Sequence, residues 1–117
     1  MKMKQALPTL LLGVSFLLTA CSFWQEQHYA LGQMKDIQLQ TAGPGAVYHL
    51  DLDFSGQLEG KGTLVLLLNG KPYQRWPMQD KITGQYQGDW YAPEAQLRWQ
   101  PEPGTRGELK LRYRFLD

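Results

Sequence analysis

The chain has 117 residues, of which 43% are hydrophobic and 20% are charged, and its formal net charge is +1. This length predicts a single domain with a single core, and the near-neutral charge excludes the broad basic surface typical of nucleic-acid-binding proteins. Cys21 is the only cysteine, which excludes an internal disulfide.

The first twenty residues have the composition of a secretory signal. Lys2 and Lys4 supply positive charge, and residues 6–20 form a mostly apolar segment of 15 residues. This segment is shorter than the ~20 apolar residues that a membrane-spanning helix needs. We therefore predict a cleaved signal peptide at residues 1–20 rather than a permanent transmembrane helix.

The end of this segment, Leu18-Thr19-Ala20-Cys21, resembles the lipobox of bacterial lipoprotein precursors. The resemblance covers residues 1–22 only; the family of the remaining chain is not indicated. It implies cleavage before Cys21, a diacylglycerol thioether on its sulfur and, in Gram-negative bacteria, an amide-linked acyl chain such as palmitate. Several acyl chains anchor a protein stably to membrane lipid. Ser22, where many inner-membrane lipoproteins have Asp, implies the periplasmic face of the outer membrane. The alternative is an ordinary signal peptide followed by a free thiol.

Residues 21–35 are predicted to form a lipid-anchored tether, in which the 14 residues 22–35 span about 48 Å when fully extended. Its aromatic side chains, such as Phe23 and Trp24, could settle at the level of the lipid headgroups. Alternatively, Tyr29 and Leu31 begin the fold as a first strand. The sequence leaves both possibilities open.

From residue 36 onward the hydrophobic pattern has the period of two that is typical of β-strands. Residues 36–41 predict one strand, and residues 48–55 predict a second with one buried face, formed by Tyr48, Leu50, Leu52 and Phe54. A turn at residues 59–62 is expected to separate this strand from an apolar strand at residues 63–68.

Asn69-Gly70 predicts a two-residue hairpin loop, because both residues tolerate a positive φ. In that register Leu68 faces Lys71, Leu67 faces Pro72 and Leu66 faces Tyr73. Pro72 lacks an N–H, so its far side is expected to be a sheet edge.

Two further strands are predicted at residues 81–90 and from residue 97, joined by a loop at residues 92–95. This loop would place Trp90 opposite Leu97, Asp89 opposite Arg98 and Gly88 opposite Trp99, with both indoles in the core. A last strand alternates Leu109, Leu111, Tyr113 and Phe115 with Lys110, Arg112 and Arg114. The pattern predicts an all-β fold: a small antiparallel β-sandwich, or a barrel-like sheet, of about seven strands in residues 36–117.

The candidate chemistry in this pattern is sparse. His49, Asp51 and Asp53 project from one strand face and could approach a metal ion, but no second cluster of His or Cys supports such a site, and a solvated polar face is the usual explanation. No nucleophile motif or phosphate-binding loop is present. We therefore predict no catalytic, cofactor or metal site, and a protein that is not an enzyme.

Two surfaces remain as candidates for binding. The basic row of Lys110, Arg112 and Arg114 could meet lipid phosphates or an acidic partner, or could guard an edge strand against unwanted pairing. The second surface follows from the 63–68 strand, which is apolar on both faces. In the hairpin register above, an apolar partner surface is predicted at Val65, Leu67, Pro72 and Trp76.

These patterns predict an outer-membrane lipoprotein acting as a non-enzymatic interaction or accessory module. Its expected partners are membrane lipid, through acylated Cys21, and another envelope protein. The alternative is a domain that binds a small ligand or glycan, which a pocket lined by Trp and Tyr would favour.

Overall fold

The computed structural model describes residues 23–117. The signal peptide, Cys21 and Ser22 lie outside the described residues, so cleavage and lipidation stay predictions. Six strands follow in chain order: β1 (Gln25–Leu31), β2 (Lys35–Gln40), β3 (His49–Leu68), β4 (Lys71–Asp89), β5 (Glu94–Pro101) and β6 (Arg106–Leu116). The predicted all-β antiparallel architecture is confirmed. Residues 23–117 contain no helix long and apolar enough to cross a membrane.

One antiparallel sheet curls into a half-barrel around a single core. Its order is β1-β6-β3-β5-β2, and β4 pairs with the other side of β3. On one side of β3, β6 pairs with the first half of the strand and β5 pairs with the second half. β4 runs beside both halves. The long β3–β4 hairpin therefore belongs to both halves of the sheet.

The hairpin bends in its middle, where a turn was predicted at residues 59–62. That turn prediction is wrong, because β3 continues through it. Six strands result where about seven were expected, since β3 and β4 each replace two predicted strands and β1 is added. The pairing of β3 with β4 shifts between Gln57 and Lys61, and Gly60 has a φ of 113°. The Thr105 hydroxyl fixes the bend by donating to the Lys61 carbonyl at 2.8 Å and accepting from the Lys61 N–H at 3.2 Å.

The strand alternation predicted most of the core correctly. In β3 and β6 the predicted inward residues are buried: Leu50, Leu52, Phe54, Leu109, Leu111, Tyr113 and Phe115. Tyr48 is the exception, since it precedes β3 and is exposed. Trp90 and Trp99 are both buried, as predicted. The glycine that makes room for the Trp99 indole is Gly62 rather than Gly88, because a side chain at Gly62 would overlap the Trp99 ring.

The predicted pairing of residues 88–90 with residues 97–99 is wrong. β5 pairs with β3 and β2, so Leu97 faces Leu66 and the Arg98 guanidinium bonds to Asp36 at 2.8 Å. The bend explains the error, because it brings the end of β4 beside the tip of the hairpin. A short connection then carries the chain to the other side of β3, and the Trp90 indole N–H donates to the Glu94 carbonyl at 2.9 Å across it.

The fold begins earlier than the predicted boundary at residue 36. β1 pairs with β6 along its whole length, from Gln25 opposite Tyr113 to Leu31 opposite Gly107. Leu31 is buried in the core. Residues 25–35 are therefore part of the sheet and its β1–β2 connection rather than a free tether, which is the second of the two possibilities that the sequence left open.

Candidate functional site

The outward face of β3 and β6 carries a ladder of ion pairs. The Asp51 carboxylate accepts a hydrogen bond from Arg114 Nε at 2.8 Å and lies 2.7 Å from His49 Nε2, and its side chain is only 6% exposed. Burial acts to raise the pKa of Asp51, but the hydrogen bonds from Arg114 and His49 outweigh it and hold this pKa below its usual range. Asp51 is thus committed to a structural ion pair.

The candidate metal ligands take part in this ladder. Asp51 is engaged by Arg114, and Asp53 lies 3.9 Å from Arg112. Within residues 23–117 no three His, Cys, Asp or Glu side chains are grouped so that they could hold a metal ion. The polar face of this strand is occupied by cross-strand pairing between β3 and β6.

The predicted basic row is likewise paired. Lys110 lies 3.8 Å from Glu26, and Arg112 and Arg114 face the carboxylates just described. The Trp24 ring covers both guanidinium groups, with its centroid 4.8 Å from Arg112 and 4.6 Å from Arg114. β6 also lies between β1 and β3, so the interpretation of this row as an edge guard is wrong. The row forms no open cationic patch.

The predicted partner surface is also corrected. The two-residue loop and the Leu67–Pro72 pair are as predicted, but Leu66 pairs with Gln74 instead of Tyr73. This bulge shifts the following residues by one, so Trp76 faces the core and its ring contacts Phe54 with centroids 4.8 Å apart.

The other half of that surface is closed as well. Val65 and Leu67 are 1% and 4% exposed. Val65 lies in register between Arg75 and Arg98, whose long aliphatic stems can cover an apolar neighbour. Only Pro72 is exposed as expected. The four residues do not form an open patch.

The bulge produces a different candidate site by redirecting Tyr73. Its ring meets Tyr86 and Trp90 at centroid distances of 6.1 and 6.3 Å, which ties the hairpin tip to the end of β4. A cleft of about 450 Å³ opens beside this cluster; it is lined by Leu68, Asn69, Tyr73, Asp89, Trp90, Tyr91 and Ala92. Tyr73 and Tyr91 are 47% and 75% exposed. We call this site the aromatic cleft.

Tyr86 lies behind the aromatic cleft and is not poised for proton transfer. Burial and the neighbouring Tyr73 raise the pKa of Tyr86 to about 12. Its phenol therefore stays protonated at neutral pH and donates a hydrogen bond to the Asp89 carbonyl at 3.3 Å. The aromatic cleft has the chemistry of a binding surface: exposed rings with the polar groups of Asn69 and Asp89 beside them.

Sequence reasoning missed this site, although one signal was available. Trp90 and Tyr91 are adjacent at the end of a strand, where successive side chains point to opposite sides. With Trp90 predicted in the core, alternation directs Tyr91 away from it. Nothing in the sequence indicated that the hairpin bends and brings Tyr73 to the same place.

No family model matches the chain, and no curated protein matches its sequence. Among solved structures, the chain is similar to the solution NMR structure of a de novo designed double-stranded β-helix. The match has a TM-score of 0.45 and 12% sequence identity, and it covers 76% of this chain and 97% of the designed one. The class of the protein is defined by its own sheet: a curled, antiparallel, all-β half-barrel.

Proposed function

We propose that this chain is an outer-membrane lipoprotein whose β domain is a non-enzymatic interaction module facing the periplasm. The lipobox resemblance at Cys21 supports the anchor. Trp24 packs on Arg112 and Arg114, so only Ser22 and Phe23 separate the packed domain from the lipidated cysteine. Fully extended, that link reaches about 11 Å. The domain is therefore held against its membrane, in place of the long tether expected from the sequence.

The observation that carries the interaction role is the exposed aromatic cleft. Of the six large hydrophobic side chains exposed in residues 23–117, three line it: Leu68, Tyr73 and Tyr91. Clustered exposed apolar surface marks binding sites, and tyrosine is enriched in the centres of protein interfaces. The proposed partner is another envelope protein that inserts apolar side chains between the Tyr73 and Tyr91 rings.

A photo-crosslinking amino acid at position 91, in the membrane-anchored full chain, tests this role. We expect one discrete crosslinked envelope protein, which disappears when Tyr73→Ala is added. Met34 is a matched control, since it is 66% exposed and lies outside the aromatic cleft. The same probe at position 34 should give no such product. Equal crosslinking from positions 34 and 91, or none from position 91, would contradict the proposed site.

A second candidate function is the binding of a small saccharide. The volume of the aromatic cleft lies within the ~300–1,000 Å³ range of small-molecule sites. Asn69 and Asp89 could bond to sugar hydroxyls while the tyrosine rings stack on the sugar face. Calorimetric titration with envelope oligosaccharides should then give binding that Tyr91→Ala abolishes and Met34→Ala leaves unchanged. Absence of heat with the unmodified protein would exclude this candidate.

A further inference from the structure

The outer edge of β4 has unequal halves. β4 pairs only with β3, and within the described residues no other strand is paired to its far side along 71–89. Unpaired strand edges invite association, so proteins usually block them with proline, bulges or charge. The two halves of β4 differ in whether they carry such blocks.

The first half, residues 71–79, is blocked. Pro72 and Pro77 both lie within the ladder with β3. A strand tolerates proline only where the missing N–H points away from its neighbour, so both prolines remove an outward donor. The bulge at Tyr73 further distorts this part of the edge. A second strand could not pair along it.

The second half, residues 81–89, has no proline and pairs with β3 without a register shift. When two copies of this segment run antiparallel, residues of complementary charge lie opposite each other. In an antiparallel pair centred on Gln85, Lys81 lies opposite Asp89 of a second copy, and Thr83 opposite Gln87. These side chains are exposed on the outward face. Opposite charges directly across a strand pair stabilise it, and like charges destabilise it.

The inward face is compatible with the same register. The half-buried Tyr86 would lie opposite Gly84 of the second copy and the buried Ile82 opposite Gly88; the rings that cover these glycines, Phe54 over Gly84 and Tyr86 over Gly88, belong to their own chain. A twofold axis through Gln85 creates every one of these pairs twice, as a symmetric dimer requires.

The geometry points to a homodimer in which the 81–89 segments of two copies pair antiparallel about Gln85, joining two half-barrels into one continuous sheet. The partner is a second copy of this chain. The ion pair from Lys81 to Asp89 sets the register, and it forms at both ends of the new interface. This interface goes beyond the proposed function, because it uses the edge of β4 rather than the rings of Tyr73 and Tyr91.

A disulfide across the axis tests the dimer. Cα atoms directly opposite in an antiparallel pair lie about 4.5–5.5 Å apart, within the range that a disulfide spans. Gln85→Cys in the full chain on membranes, oxidised with copper phenanthroline, should give a dimer on a non-reducing gel. Arg75→Cys is the matched control on the blocked half of the same strand and should give at least tenfold less. The parent chain, run in parallel, reports any crosslinking through Cys21.

Charge reversal tests the register. In the Gln85→Cys background, Lys81→Glu alone and Asp89→Lys alone should each reduce the dimer about tenfold, and the two together should restore it. If Gln85→Cys does not accumulate, Thr83→Cys with Gln87→Cys carries the same test, because the register sets these positions opposite each other. Any one of three results would overturn the proposal. Arg75→Cys could crosslink as strongly as Gln85→Cys, both Gln85→Cys and the Thr83→Cys/Gln87→Cys variant could give no dimer, or the double charge variant could fail to recover the dimer. Asp89 also lines the aromatic cleft, whereas Gln85→Cys and Lys81→Glu change no residue of the cleft and leave Cys21 in place, so their outcomes are independent of the proposed function.

Discussion

Asp51 is the one charged residue that is buried among residues 23–117. Its hydrogen bond to Arg114 and its contact with His49 compensate for the loss of water. Alternation in the sequence correctly placed Asp51 on the outward face of its strand, but it did not predict that Asp51 is buried. That burial follows from β6, which lies alongside and brings Arg114 opposite Asp51. Side-chain direction is a local property, whereas exposure depends on the neighbouring strand.

Asp51→Asn should lower the free energy of unfolding at pH 7 by about 1–3 kcal/mol, because a charge-assisted hydrogen bond is lost. Asp53→Asn is the control and should cost much less, since Asp53 is half-exposed and 3.9 Å from Arg112. Chemical denaturation of both variants measures the difference.

The difference in stability between the parent chain and Asp51→Asn is also predicted to depend on pH. The pKa of Asp51 is lowered by folding, so its stabilising effect is complete above the unfolded-state pKa of about 3.9 and is lost as the pH falls through the lower folded-state pKa. The gap in stability between the parent and Asp51→Asn should therefore shrink steadily below pH ~4. A gap that stays constant to pH ~2 would show that the carboxylate charge does not stabilise the fold.

At the scale of elements, the bent β3–β4 hairpin decides the fold. The glycines at its middle predicted a turn. A bend within a strand also favours glycine, because both features need backbone angles that other residues rarely adopt. The choice between them is made by distant residues, such as Thr105 bonding to Lys61. The bulge at Tyr73 was invisible for a similar reason, since Asn69-Gly70 fixes only the first pairs of the hairpin. A one-residue shift then turned Trp76 inward and removed the predicted partner surface.

Gly56→Ala tests this bend. Gly56 has a φ of 153°, and a Cβ there would overlap the Glu108 carbonyl oxygen on β6. We expect a loss of roughly 1–3 kcal/mol in unfolding free energy, because the backbone of two strands must shift. Gly32→Ala is the control, since nothing lies within 4 Å of its added methyl group. It should be neutral or slightly stabilising. Equal thermal midpoints for the two variants would contradict the close approach at the bend.

At the scale of the whole molecule, the sequence predicted the fold class and most of the core but not the placement of strands. Each alternating segment specifies its own buried face. Which segments pair depends on the bend, which directs β5 away from β4 and onto β3. The early start of the sheet at Gln25 likewise depends on the partner strand β6. The consequence for function is a domain held close to the proposed anchor, in place of one on a long tether.

The most direct test of the lipid-anchored proposal is the intact mass of the protein purified from membranes of a Gram-negative host. We expect a chain that begins at Cys21 and carries the added mass of a diacylglyceryl group and one further acyl chain. Cys21→Ala should lose this mass and leave the membrane fraction. An amino terminus elsewhere, or an unmodified Cys21 thiol in the membrane-bound protein, would contradict the anchor and with it the proposed location of the domain.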